Sequence, residues 1–306
     1  MAIVYHYTTV NSLLGMLSEC SAKEPYIIMW ATHASYLNDK TEYKYGKKVC
    51  LDTIIEIEKE LNIPECKRLS NIYCNDDLNN GIELYDFFSS TCPSTHGGIP
   101  YIISLSRSND ALPMWNTYTK KGNGIAIGFD EDLLCKNNCA FGEIMPFALP
   151  MLEEKYEIKE CIYDTSHNRF ISIREDYQKK YLELQNLINE SVADDKINEP
   201  KVIAFLLHFY KDFAPYIKDK AYEYEHEVRL VAKDKGEIYF RESNGMIIPY
   251  VKVKIPLECI KEIIIGPTME ASRTRDSLIM LLYNKGMTDI HSDSKKIIKI
   301  STAPYR

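Results

Sequence analysis

The chain opens on an apolar run of strand length, Ile3–Tyr7, followed by Thr8-Thr9 and VNSLLGML. In that second stretch Val10, Leu13, Leu14 and Leu17 recur at i, i+3, i+4 and i+7, which predicts a helix, and Thr9 supplies a hydroxyl to cap it. Tyr26–Ala31 reads as a second strand and leads into THASYLNDKTEY, whose Ser, Asn and Asp favour a turn. Tyr43, Gly46, Cys50, Ile54, Ile57 and Leu61 then line one face of a longer helix that must end before Pro64.

Beyond it the pattern breaks. Residues 66–98 are polar and irregular apart from an apolar patch at Leu84–Phe88, and read as an insertion or a pair of short helices. The middle returns to strands at Tyr101–Ser106, Gly124–Phe129 and Glu157–Tyr163, with a helix at Met114–Tyr118 between the first two. Two helices follow, one on Phe170, Ile173, Tyr177, Tyr181, Leu184 and Ile188, the other from about Pro200 to Lys220. The last third predicts strands at Glu227–Ala232, Glu237–Phe240, Ile247–Ile255 and Ile260–Ile265, a helix near Ser272–Asn284 and a strand near Lys296–Ser301. Strands from both ends of the chain with helices between them indicate one α+β domain over 1–306, carrying a polar insertion at about 66–98 and a helical one at about 165–220.

Composition narrows the function classes. With 37 Lys and Arg against 44 Asp and Glu the formal charge is −7, so nothing suggests an electrostatic footprint for nucleic acid or anionic membrane. No apolar stretch approaches the roughly 20 residues that span a bilayer. The start MAIVYHYTT has neither a basic segment nor a cleavage site. The nine cysteines are scattered and odd in number, as in a reduced, cytoplasmic protein. Cys135 and Cys139 lack the second Cys or His pair of a zinc site, so no metal is expected.

Familiar catalytic patterns are missing: there is no P-loop, GxSxG elbow, HExxH or GxGxxG. Four clusters stand out instead. His6-Tyr7-Thr8 closes the first strand with a hydrogen-bonding ring and a flat aromatic face. Ser35-Tyr36-Leu37-Asn38-Asp39 follows the second. Ser104 and Ser106 share one face of a strand by alternation. In Tyr222–Leu230, a strand beginning near Glu225 would put Glu225, Glu227 and Arg229 on one face. Paired carboxylates beside a guanidinium suit a site that holds a hydroxyl and stabilises positive charge. A solvated strand edge laced with salt bridges explains the same pattern.

In order along the chain, HYTTVNSLLGML, WATHASYLNDKTEY, SLSRSNDALPMWNTYTKKGNGIAIGFD, YEYEHEVRLV, EIIIGP and a closing S-x-x-PYR resemble the bacterial family called domain of unknown function 2971. That family is grouped with ADP-ribosyltransferase-like proteins, so the resemblance implies a split β-sheet core with flanking helices, and NAD as substrate. By that resemblance His6 would hydrogen-bond a ribose of NAD and Tyr7 or Tyr36 would stack on nicotinamide. Glu227 would hold the ribose 2′-hydroxyl, and Glu225 would orient the acceptor. Ser104 and Ser106 resemble the Ser-x-Ser strand, and Asn38, Trp115, Tyr118 and Arg229 complete the expected NAD-binding set. The His-Tyr start belongs to the branch of diphtheria toxin and poly-ADP-ribose polymerases, whereas Ser-x-Ser with ExE belongs to the arginine- or nucleotide-modifying branch. The acceptor, whether protein, nucleic acid or small molecule, is therefore not inherited from either. Related enzymes resemble toxins or defence effectors, so an inhibitory partner protein is a further expectation by analogy. The competing expectation is a non-catalytic nucleotide- or protein-binding module on the same fold.

Overall fold

A computed structural model describes residues 2–38, 42–65, 100–136, 139–141, 152–154, 156–163, 212–232, 237–243, 245–287 and 297–304, with a few isolated positions between 68 and 182. The protein is α+β. Its residues group into two compact units: Met1–Thr32, Tyr101–Glu160 and Tyr222–Arg306 form the first, His33–Pro100 and Cys161–Ala221 the second.

The first unit is built on a ten-stranded sheet. Its strands are β1 (Ile3–Thr8), β2 (Tyr26–His33), β3 (Tyr101–Ser106), β4 (Ile125–Asp130), β7 (Tyr156–Glu160), β8 (Glu227–Ala232), β9 (Ile238–Ser243), β10 (Met246–Pro256), β11 (Ile260–Ile265) and β12 (Ile298–Ile300). Strands β5 (Cys139–Phe141) and β6 (Leu152–Glu154), which the sequence pattern did not suggest, form a separate two-stranded sheet. The main sheet runs β12-β11-β4-β1-β3-β2-β10-β9, with β8 also paired to β3 and β7 to β8. The apolar runs decide which residues are covered. Val4, Ile103, Leu105, Ile127, Phe129, Val228 and Leu230 belong to one core with Leu13, Met16 and Leu17 of helix α1 (Val10–Met16) and its end. Thr9 caps α1 as expected, its hydroxyl accepting from the Ser12 N–H at 3.2 Å. Leu14, by contrast, is half exposed and lies off the packed stripe. A smaller core joins Tyr5, Tyr7, Ala126 and Ile264 to Met114 and Trp115 of α3 (Leu112–Tyr118).

Register places the polar residues among these strands. Strands β3 and β8 pair along their full length, with Ser104 opposite Arg229 and Ser106 opposite Glu227. Among the described residues β1 meets β3 at one position, Tyr5 opposite Ser106, while it follows β4 from Ile3 to Thr8. Cross-strand partners share a face, so Tyr5, Ser106 and Glu227 lie side by side across three strands. Past that pair β1 and β3 part, and the sheet forks.

The second unit holds α2 (Glu42–Glu60), whose buried residues include Tyr43, Gly46, Cys50, Ile54 and Ile57. Gly46 is required there, since a β-carbon would come 2.3 Å from the Ala214 carbonyl oxygen. The helix stops where Asn62 turns left-handed at φ 52°, before Pro64, and Leu61 is left largely exposed. Glu58 is fully buried and accepts from the Ser70 N–H and the Tyr181 hydroxyl, both at 3.1 Å. The apolar patch at 84–88, and most of the helices expected at 170–188 and 200–220, lie outside the described residues.

Candidate active site

The fork between β1 and β3 opens as a cleft continuous with solvent, lined by Tyr5, His6, Tyr7, Ser104, Leu105, Met114, Tyr118, Glu225 and Glu227. Six of the residues singled out in the sequence meet here: His6, Tyr7, Ser104, Tyr118, Glu225 and Glu227. Tyr5, Leu105 and Met114 were not singled out; alternation along β1, which sets Tyr5 beside Tyr7, was the available signal for the first.

Glu227 arrives as the strand pattern predicts, at the start of β8, whereas Glu225 does not. β8 begins at Glu227, and Glu225 ends a 3-10 turn, Lys220–Glu225. Between them His226 has φ 42°, in the left-handed region that a residue with a β-carbon enters only under constraint. The constraint is visible. The His226 N–H donates to the Glu223 carbonyl at 3.1 Å and its carbonyl accepts from the Arg107 N–H at 2.9 Å. Ser106 Oγ donates to the Glu225 carbonyl at 2.6 Å while accepting from the Ser108 N–H at 3.0 Å. Ser106 is fully buried and outside the cleft lining, so its hydroxyl fixes the turn rather than touching a ligand.

The solvated-edge explanation of the ExExR stretch does not hold. β8 lies between β3 and β7, and Glu225, Glu227 and Arg229 are 2%, 4% and 1% exposed. Arg229 forks onto Glu227, Nε to Oε1 at 3.0 Å and Nη2 to Oε2 at 3.1 Å, which fixes the carboxylate plane. Tyr118 donates to Glu225 Oε1 at 3.0 Å. Both carboxylates are thus held in place before any ligand arrives.

His6 lines the same cleft from β1. Its Nδ1 lies 3.0 Å from the Ser104 carbonyl, which can only accept, so Nδ1 carries the proton. Burial holds the ring below its ordinary value of 6.5, against the opposing pull of that carbonyl, and the Arg241 charge lowers it further. A neutral ring protonated on Nδ1 leaves the Nε2 lone pair to accept from a hydroxyl. The sign of the linkage follows: below pH 6.5 the unfolded imidazole takes a proton that the folded one resists, so stability falls on acidification. His6→Gln is expected to flatten this loss. The gap in unfolding midpoint between wild type and variant should narrow from pH 7.5 to pH 5, and a constant gap would contradict it.

Tyr7 is engaged at both ends. Its hydroxyl donates to the Ser108 carbonyl at 2.9 Å and accepts from the Ala111 N–H at 3.2 Å, and burial pushes the phenol up to about 12. Its ring meets Trp115 edge to face at 4.9 Å. Trp115, expected in the NAD-binding set, is wholly buried and outside the lining of this cleft. Arg229 likewise lies outside the lining and acts through Glu227. The Trp115 indole donates to Asp110 at 2.7 Å, and Asp110 also accepts from the Ser301 hydroxyl and the Thr302 N–H. The closing S-x-x-P thus ties the chain end to α3 behind Tyr7. Tyr36 and Asn38 are exposed and belong to the second unit.

Among the described residues no group of three His, Cys, Asp or Glu could hold a metal ion, and no helix is long and apolar enough to cross a membrane. Cys20, Cys50, Cys161 and Cys259 are buried thiols and Cys135 is exposed.

With this geometry in place, the comparisons with known proteins add a family. Residues 114–230, from Met114 of α3 to Leu230 of β8, match a family model described as protein of unknown function (DUF2971), which supports that family. The matched segment includes Tyr118, Glu225, Glu227 and Arg229, while His6 and Tyr7 precede it. No curated protein and no solved structure matches the chain.

Proposed function

We propose that the protein consumes NAD, cleaving the bond between nicotinamide and ribose and passing ADP-ribose to water or to another acceptor. One observation carries this reading: His6, Tyr118, Glu225 and Glu227, drawn from three well-separated stretches of the chain, converge on one cleft at the fork of the sheet. The fork supports treating the sheet as the split sheet of the ADP-ribosyltransferase-like fold.

The chemistry needs little more. The N-glycosidic bond between nicotinamide N1 and ribose C1′ breaks with both electrons going to nitrogen, so a cationic nicotinamide leaves neutral and needs no general acid. The ribose passes through an oxocarbenium-like state, as in glycoside cleavage. Glu227, fixed by Arg229, accepts from the 2′-hydroxyl and lowers the energy of that cation. His6 Nε2 accepts from a second ribose hydroxyl and orients the sugar. Glu225, steadied by Tyr118, faces the incoming nucleophile and takes its proton as oxygen or nitrogen bonds to C1′. With water the products are ADP-ribose, nicotinamide and one proton.

The test uses NAD labelled in its adenylate half, incubated with the purified protein with and without cell lysate. The account expects nicotinamide release, with label on free ADP-ribose for a hydrolase and on a macromolecule or metabolite for a transferase. No release under either condition would reject the enzyme and favour the binding module.

A further inference from the structure

Arg241 stands apart from the other cations of the first unit. It sits on β9, the strand at the end of the sheet, and register carries it inward: Arg241 is opposite Ile248 on β10, and Tyr250 of β10 is opposite both Tyr239 of β9 and Thr32 of β2. Arg241, Tyr239, Tyr250, Trp30 and Thr32 therefore share a face. Tyr250 bridges the two other rings, at 5.2 Å from Trp30 and 5.8 Å from Tyr239. Arg241 lies over Trp30, its guanidinium carbon 5.8 Å from the ring centroid, and Nη2 donates to Thr32 Oγ1 at 3.0 Å.

What this guanidinium lacks is an anion. Among the described residues no carboxylate pairs with it, and its Nε is buried without any hydrogen-bond partner. Five N–H donors are available on an arginine, and a guanidinium withdrawn from water without a counter-charge is costly to keep. Arg107 and Arg229, by contrast, are each forked onto a glutamate. Arg241 as a whole is half-buried, its Nε inaccessible and the rest of the side chain in part open. Its charge also bears on the ring of His6, a residue that lines the cleft.

We propose that Arg241, with the Thr32 hydroxyl beside it and Trp30 beneath it, is the receptor for a phosphate group of the nucleotide whose ribose enters the cleft. This rests on the NAD reading for the nucleotide, but not for the anion. A phosphate oxygen supplies the acceptors that Nε and the outer N–H groups lack, in the fork geometry that suits arginine better than lysine. The indole keeps the guanidinium plane fixed while the anion is exchanged.

The experiment measures binding of inorganic pyrophosphate, ADP and adenosine to wild type, Arg241→Gln and Arg241→Lys by calorimetry at two salt concentrations. Wild type should bind pyrophosphate, and ADP more tightly than adenosine, with salt weakening the two anions. Arg241→Gln should weaken pyrophosphate and ADP by about 10- to 100-fold, the loss of charge-assisted hydrogen bonds. It should leave adenosine unchanged, and Arg241→Lys should fall between. A second readout needs no variant: pyrophosphate should protect Arg241 of the wild-type protein from phenylglyoxal, mapped by mass spectrometry. Equal labelling with and without pyrophosphate, or unchanged ADP affinity in a folded Arg241→Gln protein, would overturn the proposal. Either result could coexist with nicotinamide release, so the failure of this site and the failure of the NAD reading are told apart.

Discussion

Glu227→Gln is expected to lower nicotinamide release by about 100- to 1,000-fold while leaving NAD affinity nearly unchanged, the scale seen when one preorganised electrostatic group is removed. The amide keeps the shape of the side chain, and its oxygen can still accept from Arg229. It loses the negative charge that faces C1′ when that carbon becomes cationic, and with it the charge that balances Arg229, so the fold of the variant is measured alongside. An interaction made chiefly in the transition state lowers kcat and kcat/KM together, which separates this outcome from a binding defect. Steady-state kinetics beside a thermal unfolding curve make the check. A folded variant with wild-type kcat would remove Glu227 from the chemistry.

The second large effect falls on stability. Arg229→Met should destabilise the fold by about 3–5 kcal/mol, because it strands the Glu227 carboxylate in an interior that had been matched to a guanidinium. Both residues are almost inaccessible and their contact is two-pronged, so water offers little replacement. The double variant Glu227→Gln, Arg229→Met should regain part of the loss, since the stranded charge is then gone. Urea unfolding of the two single variants and the double one closes the cycle. Additive losses would mean that the pair is not energetically coupled, and would weaken the view of Arg229 as the residue that positions Glu227.

Much of the β framework was legible because alternation and apolar runs are local. Ile3–Tyr7, Tyr101–Ser106, Glu227–Ala232 and Ile260–Ile265 all emerge as strands within a residue of their expected bounds. The Thr9 cap was legible for the same reason. What failed were features decided by distant partners. A strand start near Glu225 stayed open in the sequence because no glycine or proline marks the turn before Glu227. The left-handed His226 is held there by Ser106 and Arg107, more than a hundred residues away. Leu14 and Leu61 fit the helical spacing yet face outward, since the width of a packed stripe is set by what covers it. Trp115 joined the expected NAD-binding set by resemblance alone, and its burial against Asp110, which also holds Ser301, had no local signal. Arg241 gave no signal at all, because only the β9-β10-β2 register brings it to Thr32, 209 positions away.

The measurement that bears most directly on the central claim is the structure of the Glu227→Gln protein with NAD bound. With turnover slowed, the account predicts an intact dinucleotide whose nicotinamide ribose lies in the fork. Its 2′-hydroxyl should be within hydrogen-bond reach of the side chain at position 227, with His6 on a neighbouring ribose hydroxyl. NAD bound elsewhere on the protein, or an empty cleft at saturating NAD, would contradict it.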